Sequence, residues 1–325
     1  MKSVRRGRIL VVVIAGVAIV ATSAVIASLA ADDPVSSAPD SASNALVSGT
    51  RIAAAGDIAC DPASPSFAEG VGTDDDCRQA ATSDLLVGEA YAAVLVLGDA
   101  QYKNGAEEAF LESYDPTWGR VKSITAPVPG NHEYRTDRAS GYFSYFGARA
   151  GDPDRGWYSF DLAGWHLVAL NSNCSKIGGC GVESPQERWL RRDLAASAAR
   201  CTIAFWHHAR FSSGWHGGRD AYAAFWQALY DAGADVVLVG HDHDYERFAP
   251  QDAFGRRDLA RGIREFVVGT GGKELREMPT VEPNSESHDD STFGILELTL
   301  GRSAYAWRFR PAVGSFADSG SYRCH

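Results

Sequence analysis

Short apolar runs alternate with amphipathic segments from about residue 51 to the end of the chain. The apolar runs are bounded by glycine, proline or polar residues, which is typical of β-strands. The predicted strands are residues 51–56, 93–98, 124–129, 157–162, 165–170, 201–206, 235–239, 265–268, 293–300 and 304–310. The predicted helices are residues 82–90, 106–114, 184–199 and 221–232. This alternation predicts an α/β protein, and the strands that close the chain predict a second, partly antiparallel sheet.

Three of these elements carry specific local signals. Ser184 and Glu187 form a capping-box pattern at the start of the third helix. Ala163-Gly164 separates two apolar runs and predicts the turn of a β-hairpin. Two prolines within residues 124–129 predict an irregular strand or one at the edge of a sheet.

Five of the predicted strands end in residues that can bind a metal ion. These residues are Asp57, Asp99, Asn131 with His132, His207 with His208, and His241 with His243. Ligands collect at the carboxyl ends of strands in open α/β sheets, and a glycine directly before four of these positions allows a sharp turn. Each motif alone is also typical of an ordinary polar turn. Together the five predict one site, and its two aspartates, asparagine and histidines suit two metal ions that share a carboxylate.

The N-terminal 30 residues have the pattern of an export signal. Four basic residues precede an apolar run over residues 9–30, and small residues end that run at Ala30. We expect a signal peptide over residues 1–30 that is cleaved after Ala30; the alternative is a retained membrane anchor over residues 9–30. Residues 31–49 are rich in Ala, Ser, Asp and Pro, which predicts a flexible linker before a domain over residues 50–325.

The charge of the chain limits its partners. The sequence has 31 basic and 41 acidic residues, a net charge of −10. Removing residues 1–30 takes away four basic residues and brings the net charge to −14. An acidic surface argues against nucleic acid as a partner, but a small phosphorylated substrate is compatible with it because bound metal ions would dominate the local field. No stable protein partner is implied, and a membrane is implied only if the N-terminal segment is retained.

The six cysteines predict disulfides, because their number is even and the chain carries an export signal. Closeness in sequence pairs Cys60 with Cys77 and Cys174 with Cys180. Cys201 and Cys324 remain as the third pair. The alternative, cysteines as metal ligands, is disfavoured because the chain has no Cys-x-x-Cys pair.

The five motifs resemble those of the calcineurin-like metallophosphoesterases. They are Gly56-Asp57, Gly98-Asp99, Gly130-Asn131-His132-Glu133, His207 and Gly240-His241-Asp242-His243. Many members of that superfamily have a metal-binding histidine where this chain has Ala59. Here the second motif continues as Asp99-Ala-Gln-Tyr102, which resembles the purple acid phosphatase branch, where a tyrosinate binds the first metal. The resemblance implies a four-layer αββα sandwich of two mixed β-sheets.

The resemblance also implies residue roles. The first metal ion would be held by Asp57, Asp99, Tyr102 and His243, and the second by Asp99, Asn131, His207 and His241. His132 and His216 would face the substrate phosphate, and one of them would protonate the leaving oxygen. The branch has a proline two residues after its metal-binding histidine, but this chain has Ala209, which leaves a choice between His207 and His208. We favour His207, because it directly follows the strand.

The implied function is an exported, dinuclear-metal phosphatase that hydrolyses phosphate monoesters. A hydroxide acidified by the metals would attack phosphorus in line. Phenolate favours Fe(III) in the first site, with divalent Fe, Zn or Mn in the second. The alternatives are a phosphodiesterase and a non-catalytic extracellular binding module on the same fold. Arg210 is a weaker candidate for substrate binding, with a surface salt bridge as the favoured interpretation.

Overall fold

Two β-sheets form the centre of the protein, which we describe over residues 47–325 from a computed structural model. The predicted signal peptide or anchor and nearly all of the predicted linker lie outside these residues. The strands are β1 Thr50–Ala55, β2 Ala93–Leu97, β3 Thr125–Val128, β4 Tyr158–Leu162, β5 Trp165–Ala169, β6 Cys201–Phe205, β7 Val236–Val239, β8 Tyr245–Phe248, β9 Arg264–Val268, β10 Ser285–Asp289, β11 Phe293–Leu300, β12 Ala304–Val313 and β13 Ser319–Arg323.

The helices are short and lie between the strands. They are α1 Gln79–Asp84, α2 Glu107–Ala109 with a π-helical continuation over Phe110–Tyr114, α3 Ser140–Phe146, α4 Pro185–Ala196 and α5 Ala223–Asp231. Short 3-10 segments are Ala68–Gly70, Trp118–Ile124, Glu133–Arg135, Asp137–Ala139, Gly147–Ala150, Cys174–Lys176 and Asp220–Tyr222. Within residues 47–325, no helix combines the length and apolar character needed to cross a bilayer.

Both sheets are mixed, as predicted. Sheet 1 has the strand order β13-β12-β11-β1-β2-β3, in which β1, β2 and β3 are parallel and β11 to β13 are antiparallel. Sheet 2 has the order β10-β8-β9-β7-β6-β5-β4, with parallel pairing from β5 through β9 and antiparallel strands at both edges. Strand β3, which contains Pro127 and is followed by Pro129, is an edge strand, and Ala163-Gly164 forms the turn of the β4–β5 hairpin.

Two hydrophobic cores separate the layers, and β6 shows how the sequence builds them. Alternate side chains of a strand point to opposite faces of its sheet. Ile203 and Phe205 join the core shared by the two sheets. Ala204 and Trp206 join the core that sheet 2 shares with α4 and α5. Helices α4 and α5 thus pack against sheet 2, and the aromatic residues of α2 and α3 belong to the same core as sheet 1. This arrangement agrees with the predicted αββα layering.

The prediction that the closing strands form the second sheet is wrong. Strand β11 pairs with β1 in sheet 1, with Ile52 opposite Leu298, and β12 and β13 extend the same sheet. Sheet 2 is built from the middle of the chain, β4 to β10. Pairing between strands so distant in sequence leaves no local pattern. Strand β8 was not predicted because Glu246 interrupts its apolar pattern, although that side chain is fully buried.

All six cysteines form disulfides, in the three predicted pairs. They are Cys60–Cys77, Cys174–Cys180 and Cys201–Cys324. The third bond closes a separation of 123 residues and ties the last residues of the chain to β6. Because loop-closure entropy grows with loop length, a bond of this span stabilises the fold by about 4–5 kcal/mol in the chain-entropy account.

Candidate metal centre

Strand ends from both sheets meet at one place, which brings the predicted site residues together. Sheet 1 supplies Asp57 after β1, Asp99 and Tyr102 after β2, and Asn131 after β3. Sheet 2 supplies His207 after β6 and His241 and His243 after β7. These side chains belong to buried residues, except that of the half-buried Asn131.

The Tyr102 hydroxyl is the meeting point of one half of the site. It donates to Asp57 Oδ1 at 2.7 Å, and it lies 3.1 Å from Asp99 Oδ2 and 3.0 Å from His243 Nε2. The other ring nitrogen of His243, Nδ1, lies 2.6 Å from the Glu274 carbonyl oxygen. This contact fixes the ring so that Nε2 points at the tyrosine and the aspartates.

His207 organises the other half. Its Nε2 lies 3.3 Å from Asp99 Oδ2 and 3.2 Å from Asn131 Oδ1. Its Nδ1 lies 2.9 Å from the Leu97 carbonyl oxygen, the same kind of contact that orients His243. The His241 ring centre is 4.9 Å from that of His207. Asp99 Oδ2 is therefore close to both halves of the site.

His208, the alternative to His207, is also buried at the site. Its Nδ1 lies 2.7 Å from Ser172 Oγ, and its ring centre is 4.4 Å from that of His241. One ring nitrogen from each of His207, His208 and His241 lies within 4.8 Å of the other two. Of the two candidates, however, it is His207 that contacts Asp99 and Asn131.

His132 and His216 differ from the other histidines of the site in being more open to solvent. Their side chains are 16% and 23% exposed, so a molecule entering from solvent can reach them. His132 Nδ1 lies 2.7 Å from the Lys103 carbonyl oxygen, and its Nε2 is 3.8 Å from Asp99 Oδ2. The His216 ring centre is 4.2 Å from that of His241.

The backbone of the site is held in an unusual conformation. Asp57, Asp99 and His241 have φ angles of 58°, 44° and 72°, in the left-handed region that non-glycine residues rarely adopt. Such residues cluster at functional sites, where the surrounding structure holds them in place. The preceding glycines do more than permit a turn. A Cβ atom on Gly98 would lie 2.6 Å from His207 Nδ1, so only glycine leaves room for that ring.

The carboxylates and imidazoles of the site polarise one another. Burial alone would raise the pKa of Asp99, but His207 and His132 hold it well below its usual range. Burial lowers the pKa of His207, but Asp99 outweighs that effect and raises it to about 9. Burial and then the neighbouring His207 lower the pKa values of His208 and His241, so these two rings are neutral. Neutral imidazole is the form that binds metal ions.

Burial, followed by the charges of Asp57 and Asp99, raises the pKa of Tyr102 well above its usual value. Burial lowers the pKa values of His132 and His216. The neighbouring Arg276 and Arg219 lower the pKa of His216 further, although Asp242 raises it.

Buried glutamates that the sequence analysis did not single out hold the loops of the site. Glu133 accepts hydrogen bonds from the backbone N–H groups of Asp99, Gln101 and Gly130 at 3.0, 3.2 and 2.7 Å. It thereby joins the loops after β2 and β3. Its place in Gly130-Asn-His-Glu was the signal that could have identified it.

A second buried glutamate acts on the loop after β6. Glu265 accepts hydrogen bonds from the backbone N–H groups of Arg210 and Phe211, and Asp242 accepts one from that of His216. These contacts hold the loop that carries His216. The Arg210 side chain forms a salt bridge with Asp220 at 3.1 Å, the interpretation favoured from the sequence.

Comparison with known proteins agrees with this architecture. The family model described as calcineurin-like phosphoesterase matches residues 50–245. Purple acid phosphatase 15 of Arabidopsis thaliana is 29% identical over 226 residues, 58% of this chain and 41% of the relative. Purple acid phosphatase 21 of the same plant is 28% identical over 246 residues, 66% of this chain and 55% of the relative. The chain therefore spans about half the length of these relatives.

A solved structure of a purple acid phosphatase from yellow lupin seeds superposes with a TM-score of 0.67. It is 18% identical in sequence, and the match covers 85% of this chain and 54% of the lupin chain, so it speaks for the fold alone. The resemblance inferred from the motifs is confirmed by these comparisons. Because the family model matches more than half of the chain, the protein belongs to the calcineurin-like phosphoesterase family.

Proposed function

We propose that this protein is an exported phosphatase that hydrolyses phosphate monoesters with two metal ions. The observation that carries the proposal is the position of Asp99. One of its oxygens, Oδ2, lies 3.1 Å from the Tyr102 hydroxyl and 3.3 Å from His207 Nε2. A carboxylate placed between two groups of donors is what two metal ions that share a ligand require.

The donors present fit such a pair of ions. Buried carboxylates are costly unless they are paired with cations, and this site buries two beside a tyrosine. We assign Asp57, Asp99, Tyr102 and His243 to the first ion, and Asp99, Asn131, His207 and His241 to the second. The first set is rich in anionic oxygen, which suits Fe(III), and the second has two imidazoles, which suit divalent Fe, Zn or Mn. When bound, the ions would lower the pKa of water and offset charge on phosphoryl oxygens.

The remaining histidines act on the substrate. Their partial exposure allows His132 and His216 to reach a substrate, and in the imidazolium form they donate to phosphoryl oxygens while His216 protonates the leaving oxygen. The contact between His132 Nδ1 and the Lys103 carbonyl orients that ring, because a carbonyl oxygen can only accept. With Nδ1 as donor, Nε2 carries the lone pair in the neutral ring and a proton in the imidazolium form.

The proposal includes export. Three disulfides support it, since disulfides persist in oxidising compartments. The test is the N-terminal sequence of the protein recovered from the medium of its host. A start near residue 31 supports cleavage, and recovery only from the membrane fraction with residues 1–30 intact supports the anchor.

Activity is tested with p-nitrophenyl phosphate and bis(p-nitrophenyl) phosphate, together with metal analysis of the same preparation. We expect two metal ions per chain and faster hydrolysis of the monoester. Faster hydrolysis of the diester would replace this function by a phosphodiesterase, and two bound ions without hydrolysis of either would favour a binding module.

His216→Ala separates the acid from the metal ligands. We expect the variant to keep both ions and to lose turnover, most severely for esters with poor leaving groups, because protonation matters most there. His288→Ala, on exposed surface of β10, is the matched control. Loss of a metal ion in the His216 variant would place His216 among the ligands and displace one of the assigned histidines.

A further inference from the structure

Three arginine side chains surround the candidate site, each against a different histidine. The contacts join a guanidinium nitrogen to an imidazole Nε2: Arg135 to His132 at 3.2 Å, Arg219 to His241 at 3.3 Å, and Arg276 to His216 at 3.3 Å. The arginines come from three separate segments, after β3, β6 and β9. None of them belongs to the proposed ligand set.

These cations are poorly neutralised by the protein itself. Within residues 47–325, neither Arg135 nor Arg219 forms a salt bridge with a carboxylate, whereas Arg210 of the same loop as Arg219 is paired with Asp220. Arg276 has one carboxylate partner, Glu274 at 3.0 Å, which also pairs with Lys273. These three cations are thus only partly offset by carboxylate partners among the described residues.

The guanidinium groups lack the partners that suit them best. A guanidinium group is a donor only, and its planar fork matches two oxygens of a phosphate. An imidazole nitrogen offers it a single neutral acceptor, whereas a hydrogen bond to phosphate is charge-assisted and about twice as strong. Arg135 and Arg219 are exposed and Arg276 is half-buried, so an anion from solvent can reach all three.

We propose that Arg219 and Arg276, whose partners His241 and His216 have ring centres 4.2 Å apart, bind a second phosphate group, carried by the leaving group of the substrate. The substrate class is then a phosphate ester or anhydride with at least one further phosphate, rather than a simple monoester. This assignment rests on the proposed function, in which the metal ions, His132 and His216 bind the phosphoryl group that is transferred. Arg276 lies directly against His216, the histidine proposed to protonate the leaving oxygen, and Arg219 lies against the neighbouring His241.

The test compares adenosine 5′-monophosphate, adenosine 3′,5′-bisphosphate and adenosine diphosphate as substrates of the metal-loaded enzyme. The first two share the ring and the type of ester bond, so they differ mainly in the second phosphate. We expect the bisphosphate to exceed the monophosphate in kcat/KM by roughly tenfold or more, since one or two charge-assisted hydrogen bonds are gained. The diphosphate shows whether an anhydride phosphate occupies the same subsite.

Variants connect this preference to the arginines. We expect Arg219→Ala and Arg276→Ala each to lower the ratio of kcat/KM for bisphosphate over monophosphate several-fold, and the double variant to bring it close to one. Arg219→Lys should retain part of the preference, because it keeps the charge but not the fork. Arg323→Ala, an exposed arginine on β13, should leave the ratio unchanged.

Equal kcat/KM for bisphosphate and monophosphate in the wild-type enzyme would overturn the subsite and leave the proposed function standing. So would a preference that persists unchanged in the double variant. If no substrate releases phosphate, the proposed function fails, and equilibrium dialysis then tests the arginines separately. Tighter binding of the bisphosphate than of the monophosphate, lost in Arg219→Ala, would support the subsite without catalysis; equal binding would refute it.

Discussion

The two sheets bring different chemistry to the same site. The strand ends of sheet 1 contribute oxygen donors: Asp57, Asp99, Tyr102 and Asn131. The candidate donors at the strand ends of sheet 2 are imidazoles: His207, His208, His241 and His243. The proposed anionic ligands therefore come from one layer of the fold and the proposed nitrogen ligands from the other.

Contacts at the site cross from one sheet to the other. Tyr102 meets His243, Asp99 meets His207, and the backbone N–H of His241 donates to Asp57 Oδ2 at 2.8 Å. The site thus lies at the interface between the two sheets, and these polar contacts help to hold the sheets together. Each proposed ligand set takes donors from both sheets, and the first set is the richer in anionic oxygen.

The largest effect is expected from Asp99→Asn, because Asp99 is the one ligand assigned to both metal ions. Asparagine removes the negative charge but tolerates the left-handed backbone at this position, so the fold should survive. We expect loss of both ions and of turnover, by roughly a thousandfold or more if catalysis depends on the metals. Metal analysis after gel filtration measures the ions, and circular dichroism checks the fold.

The outcome divides the hypotheses clearly. If the Asn variant kept both ions and near-normal turnover, Asp99 would not be a shared ligand. If the Asn variant lost only one ion, the two halves of the site would be independent. The interface between the sheets would then hold two separate metal sites rather than one dinuclear centre.

Tyr102→Phe removes one oxygen donor of sheet 1 and leaves the imidazoles of sheet 2 unchanged. A tyrosinate on ferric iron absorbs visible light, so we expect the native oxidised protein to be coloured and the variant to be colourless. The Phe ring retains the packing against His132, whose ring centre lies 4.2 Å away. Weaker binding of the first ion, with the second kept, is the expected metal analysis. Colour that survives in the variant, or an iron-containing native protein without colour, contradicts the tyrosinate assignment.

Much of the site could be predicted from sequence because its signals are local. Gly56-Asp57 and Gly98-Asp99 follow apolar runs, and turn chemistry places such residues at strand ends. The allocation of strands to sheets could not be predicted, because β1 pairs with β11 near the other end of the chain. Glu265 was missed because the sequence does not reveal that a charged residue within a strand is fully buried.

Sheet 2 contains a buried acid, Glu265, that holds a loop of the site and is not assigned as a metal ligand. Burial raises the pKa of Glu265 to about 8, although two backbone N–H groups oppose that shift. The folded protein then binds a proton that the unfolded chain has released, so stability is lost as pH rises from about 4.5 to 8. We expect Glu265→Gln to reduce this loss in the free energy of unfolding, on the order of a few kcal/mol.

Urea unfolding at pH 5 and pH 8, with metals kept saturating, measures the effect. The readout is the free energy of unfolding at pH 5 minus that at pH 8. This difference is insensitive to the hydrogen bond that Gln cannot make, because the loss of that bond affects both values equally. Glu108→Gln, on the exposed face of α2, should behave as wild type. An unchanged difference in the Glu265 variant would mean that this carboxyl is ionised in the folded protein at both pH values.

The smallest effect is expected at His208. Comparing it with His207 decides which of the two imidazoles binds the second ion. His207 contacts Asp99 and Asn131, while His208 is oriented by Ser172 and faces His241. We expect His207→Asn to lose the second ion and His208→Asn to keep both, with a stability cost of about 1 kcal/mol for the lost hydrogen bond. Metal analysis and thermal unfolding of both variants measure these effects. The reverse pattern would make His208 the ligand, and loss of the second ion in both variants would extend the nitrogen set to three imidazoles.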